Sequence, residues 1–106
     1  MANRQVMATV QVGKEPSEAD ITPSGSYIYV TNMASNDVSV ISTRTSSVVG
    51  TIPAGAHPLD IVISGDGRYA FVANTGSDDI SVINLLSQEA VARIPVGKRP
   101  GGLTLW

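Results

Sequence analysis

One spacing constrains this chain more than any other feature: Gly13, Gly55 and Gly97 stand at equal steps of 42 residues. Pro16, Pro58 and Pro100 keep the same step, as do Gly25 with Gly67, Tyr27 with Tyr69, Val30 with Val72 and Asn32 with Asn74. The copies superimpose without a gap, and the most legible stretch sets Asp37-Val38-Ser39-Val40-Ile41 over Asp79-Ile80-Ser81-Val82-Ile83. Ile52-Pro53 falls over Ile94-Pro95 in the same way. A chain with such a period is built of supersecondary units that bury their apolar faces against one another rather than alone.

Within one period the sequence predicts four short strands, rich in β-branched residues and bounded by Gly, Pro, Asn, Asp and Ser. In the second repeat they cover residues 59–64, 69–74, 80–84 and 90–95; in the first, residues 19–22, 27–32, 38–42 and 48–53. We label the four A to D. No window carries apolar residues at helical spacing between a cap and a stop, so essentially no helix is expected. Four antiparallel strands in about 40 residues, repeated, is the arithmetic of β-propeller blades, because β-helix coils are shorter and helical repeats need helices. The fold expected is therefore all-β. Its blades run over 16–57 and 58–99, with a strand D at 1–15 before them and a strand A at 100–106 after them. Ile61-Val62-Ile63 is apolar without alternation, as suits a strand packed on both faces between blades, whereas Thr51 and Arg93 on strand D can reach water.

The connections between strands have a local mechanism. Ser24-Gly25 and Asp66-Gly67 fall between A and B, where glycine takes positive φ and a short polar side chain bonds the turn backbone. Asn36-Asp37 and Asp78-Asp79 precede strand C; the paired acids at 78 and 79 invite a cation reading, but turn chemistry accounts for them and Asn36 matches Asp78.

Tyr29-Val30-Thr31-Asn32, followed by Ser35-Asn36-Asp37-Val38-Ser39-Val40-Ile41, resembles the signature of YVTN-family β-propeller repeats. The second copy, Phe71-Val72-Ala73-Asn74 and Ser77-Asp78-Asp79-Ile80-Ser81-Val82-Ile83, departs at Phe71 and Ala73 and keeps Val72 and Asn74. The resemblance covers nearly the whole chain, and tryptophan-aspartate or diglycine landmarks of other propeller repeats do not recur. It implies a closed ring, commonly of seven blades, of the kind found in surface-layer and other extracytoplasmic proteins. It also implies kinship with amine-dehydrogenase and lactonase propellers, which is analogy of fold and carries function weakly.

Composition narrows the functions further. With 42% apolar and 15% charged residues the chain can bury a core. A net charge of −2 and seven scattered basic residues give no stripe to follow a phosphate backbone, so no nucleic-acid partner is expected. The absence of cysteine removes disulfides, thiolate metal sites and thiol nucleophiles together. Residues 1–12 interleave polar side chains with apolar ones and form no signal-peptide core, and no later stretch approaches a membrane span. The sequence as read predicts a soluble chain, set against the extracytoplasmic setting that the family resemblance implies for a parent protein.

His57 is the only histidine, so paired-histidine metal sites fall away, and no glycine-rich phosphate loop opens a helix. No catalytic residue, metal or cofactor is expected. His57 belongs to the D-to-A connection Gly55-Ala56-His57-Pro58, matched by Gly13-Lys14-Glu15-Pro16 and Gly97-Lys98-Arg99-Pro100. In propellers the D-to-A and B-to-C connections emerge on one face beside the axial channel. Lys14, Glu15, His57, Lys98 and Arg99 are accordingly the candidate ligand or partner face, variable side chains on a constant frame. Tyr29 and Phe71 share a strand position that suits blade packing, and Trp106 ends the sequence.

Aligned on the period, the chain reads D, ABCD, ABCD, A, with the first strand at 6–12 and the last at 103–106. Such a series leaves a face open at each end. Either a longer parent chain covers these faces or identical chains join head to tail, and self-association is expected. The leading expectation is a structural and interaction module that presents loops for a protein or small-molecule ligand; the alternative is a fragment of a lactonase-like or amine-dehydrogenase-like enzyme whose catalytic groups lie in other blades.

Overall fold

The computed structural model describes residues 10–96. They contain no helix and eight strands in two four-stranded sheets. The first sheet is β1 (Pro16–Ile21), β2 (Tyr27–Asn32), β3 (Asp37–Ser42) and β4 (Ser47–Pro53); the second is β5 (Pro58–Ile63), β6 (Tyr69–Asn74), β7 (Asp79–Asn84) and β8 (Glu89–Pro95). Each sheet is an antiparallel meander in chain order. Registers repeat between them: Tyr29 faces Val40 and Val40 faces Gly50, as Phe71 faces Val82 and Val82 faces Ala92. Strands A and B begin and end where the pattern of turn residues predicts, to within a few residues. The expected strands at 6–12 and 103–106 lie outside the described residues, save for 10–12.

The A-to-B glycines behave as their sequence requires. Gly25 and Gly67 have φ of 77° and 73°, and their amides close the turns on Thr22 O and Ser64 O. In the second turn Asp66 Oδ1 accepts from Ser64 Oγ and the Arg68 amide, which holds its carboxyl below the usual carboxylate range.

The core lies between the sheets. β1 packs against β5 while β4 and β8 stand further apart, so the two sheets form a wedge. One face of the first sheet, Tyr29, Val38, Val40 and Ile52, is buried against the opposite face of the second, Ile61, Ile63, Ala70 and Val72. Burial by position therefore inverts between the repeats. Ile63 is 8% exposed and its equivalent Ile21 is 50% exposed; Ile52 is 1% exposed and its equivalent Ile94 is 48% exposed. Each repeat carries both packing faces, but among the described residues only one face of each has a neighbour. Among the described residues no helix is long and apolar enough to cross a membrane.

Polar contacts join the inner strands. Ser17 Oγ donates to Leu59 O at 2.8 Å and shares a hydrogen bond with Thr31 Oγ1. Asp20 spans the junction: Oδ1 accepts from its neighbour Ile21 N and Oδ2 from Ile63 N on β5, both at 2.9 Å.

Candidate functional site

The D-to-A and B-to-C connections do meet at one end of the sheets. Register places Asn32, Asp37 and Pro53 side by side there, with Asn74, Asp79 and Pro95 as their counterparts. Four side chains in each repeat tie the loops to the sheet. Asn32 Nδ2 donates to Asp37 Oδ1 at 2.8 Å and to Ser39 Oγ at 2.9 Å; Ser35 Oγ donates to the same carboxylate and accepts from the Lys14 amide. Asn74, Asp79, Ser81 and Ser77 repeat this arrangement, ending on the Ala56 amide. Asn32 and Asn74 are fully buried, and Oδ1 of each has no partner among the described residues.

This network was legible as residue types and illegible as a connection. The expectation of turn chemistry holds for Asn36 and Asp78, which take φ of 58° and 54°. It is incomplete for Asp37 and Asp79, which open the strands and serve as anchors. Asp79 also receives Arg93, whose Nη1 lies 3.4 Å from Oδ2 while Nη2 donates to Ala54 O. The missed signal was the shared spacing of Asn32, Ser35, Asp37 and Ser39 with Asn74, Ser77, Asp79 and Ser81.

The same network explains Gly13 and Gly55. A Cβ at Gly13 would stand 2.5 Å from Ser35 Oγ and 2.7 Å from Asn32, and one at Gly55 would stand 2.6 Å from Asn74. The glycines let the loop lie directly on the buried amide. From there the backbone turns sharply: Glu15 and His57 have φ of 53° and 50°, a region unfavourable to residues with a Cβ. Main-chain bonds hold it. Met33 N and Ala34 N donate to Glu15 O and Lys14 O, and Thr75 N and Gly76 N donate to His57 O and Ala56 O. The His57 amide donates across the junction to Asn36 Oδ1 at 3.0 Å.

Lys14, Glu15 and His57 are all exposed at this end, on frames whose bonds run through main-chain atoms. Lys98 and Arg99 lie outside the described residues. A cleft of about 750 Å³ opens at the other end, on the A-to-B and C-to-D turns, lined in part by Pro23, Tyr27, Arg68, Tyr69, Leu85 and Leu86. Tyr27 and Tyr69, 40% and 38% exposed, contribute to it; their recurrence was visible in the sequence, but their outward direction was not.

Two adjoining four-stranded antiparallel meanders, innermost strands together and outer strands splayed, are blades of a β-propeller. The family of YNCE-like beta-propellers matches residues 3–106, and the chain belongs to that family. No curated protein sequence matches it. Among solved structures, hydrazine synthase of Kuenenia stuttgartiensis superimposes with a TM-score of 0.82 at 25% identity, over 95% of this chain and 29% of that one. A putative 6-phosphogluconolactonase of Bacteroides fragilis gives 0.75 at 22% identity, over 84% of this chain and 28% of that one. AztD of Citrobacter koseri in its apo form gives 0.76 at 14% identity, over 88% and 26%. The chain thus spans less than a third of these neighbours' lengths. They include enzymes and non-enzymes, and what they share with the chain is the propeller fold.

Proposed function

We propose that the chain is a structural and interaction module: a propeller wedge that presents its D-to-A loops, with Lys14, Glu15 and His57 foremost and Lys98 and Arg99 at the next repeat, to a protein or small-molecule ligand. The observation that carries this reading is the division of labour in the loop. Main-chain atoms and the Asn, Ser and Asp side chains of the network make the frame, so the side chains at 14, 15, 56 and 57 vary between repeats without disturbing it. A rigid frame with substitutable side chains limits the entropy lost on binding. The alternative, a piece of a lactonase-like or amine-dehydrogenase-like enzyme, requires catalytic groups from other blades, which this end of the wedge would face.

The test is titration of the isotope-labelled chain with carboxylate, phosphate, amine and aromatic fragments, followed by amide chemical shifts. Shifts clustered at 13–16 and 55–58, lost in a Glu15→Gly, His57→Gly double variant, support the loop face. Shifts confined to Tyr27, Arg68 and Tyr69 would move the site to the opposite cleft and overturn it.

A further inference from the structure

We infer that the partner for the open sheet faces is a second copy of this chain, docked head to tail with its β1 against β5. This rests on the reading of the chain as a propeller wedge. The free face of the first sheet offers Ala19, Ile21, Ile28 and Val30; the face of the second sheet that is already buried uses Ile61, Ile63, Ala70 and Val72. Both sets contain two isoleucines, one alanine and one valine, with the alanine and one isoleucine exchanged between adjacent strands. The apolar volume is conserved, and volume-conserving exchanges are the ones a packed interface tolerates. The free face of the second sheet offers Phe71, Ile80, Val82 and Ile94 where the first buries Tyr29, Val38, Val40 and Ile52.

A generic blade would satisfy that volume argument; the polar groups select the copy. Inside the chain, Asp20 satisfies two amides, Ile21 N on its own strand and Ile63 N on the next, because Val62, standing where Asp20 stands one repeat earlier, has no carboxylate to offer. At the open face Val62 again offers none. A second copy needs none, since its Ile21 amide arrives already held by its own Asp20.

The tyrosine position agrees. Tyr29 is buried, and Gln88 of the following blade is the polar side chain that bears on its phenol. In the open face the position is Phe71, with no hydroxyl to satisfy, and the residue a second copy brings at the Gln88 position is the shorter Ser46. The Ser17 and Thr31 pair becomes Leu59 and Ala73 in the same way. Four polar positions within the chain, Ser17, Asp20, Tyr29 and Thr31, thus change together to apolar ones at the face where the copy docks.

The experiment is light scattering of the full chain over a dilution series, with Ile21→Glu and Ile94→Lys placing a charge on opposite open faces at half-exposed positions. The wild type is expected above its monomer mass of 11.0 kDa. Each variant alone is expected at that mass, and their equimolar mixture at twice it and no higher, because only one competent junction remains. Val49→Lys, at a position 52% exposed whose equivalent Val91 is 53% exposed, lies away from the junction and should associate as the wild type does. Far-UV circular dichroism establishes folding, and Ile21→Ser with Ile94→Ser replaces the pair if either charged variant unfolds. A folded wild-type monomer, association of one variant alone, or failure of the mixture to pair each overturns the second copy. None of these touches the loop-face reading, which the fragment titration judges separately.

Discussion

His57 combines two demands that pull apart. Its side chain is exposed for contact while its backbone sits at φ 50°, a left-handed conformation that disfavours any residue with a Cβ. Replacing it with glycine is expected to raise stability by roughly 0.5–1 kcal/mol in urea denaturation, strain relief less the added entropy of the unfolded chain. Gly55→Ala should do the reverse. Its Cβ would meet Asn74 at 2.6 Å, and an overpacked site of this kind costs about 1–3 kcal/mol by the same measurement. Tyr29 supplies a pH signature. Burial raises its phenol above the ordinary value of 10.0, opposed in part by the Gln88 side chain. The neutral ring therefore contributes stability that is intact below the unfolded-state value and is lost as pH rises from there through the folded-state value. Tyr29→Phe should flatten this alkaline loss in thermal melts, and absorbance titration should lose a component above the ordinary tyrosine range in that variant.

At the scale of elements, the decisive feature is a relay from loop to sheet: main-chain amide, serine, aspartate, asparagine, serine. It fixes the D-to-A loop on the B-to-C turn in both repeats. Ser77→Ala removes one member and should cost about 1 kcal/mol. Its more specific readout is faster hydrogen exchange at the Ala56 amide, with little change in the strand amides of β6 and β7. Asn74→Ala removes both donors to Asp79 and Ser81 from a buried site and should cost more, about 1–3 kcal/mol in urea denaturation. The strands themselves were legible because short runs rich in β-branched residues are bounded by turn residues. The relay was not legible, since its members belong to three separate segments that only the sheet register brings together.

At the scale of the whole molecule, the wedge is half of an interaction repeated twice. Each repeat is built to be covered on both faces, and among the described residues each is covered on one. Fully burying a side chain such as Ile21 or Ile94 stabilises by about 1.5–3 kcal/mol, so the open faces set a strong drive toward company. With a second copy as that company, the midpoint of thermal unfolding should rise with protein concentration, because ligation of the folded state alone shifts its equilibrium. A midpoint independent of concentration would remove that drive from the account.

The sequence by itself determined the blade: the 42-residue step, four strands, glycines at positive φ in the A-to-B turns, and the recurring glycine and proline that bracket Glu15 and His57. These follow from local rules of turn and strand that act over a few residues. Tertiary structure alone decided the rest. It set which of two equally apolar faces is buried in each repeat, that Asp20 serves two strands, and that Asp37 and Asp79 anchor a loop rather than close a turn. It also turned Tyr27 and Tyr69 to a cleft at the end opposite the loops. Those outcomes depend on which atoms the neighbouring sheet places within hydrogen-bonding or van der Waals reach, and a one-dimensional pattern does not contain that distance.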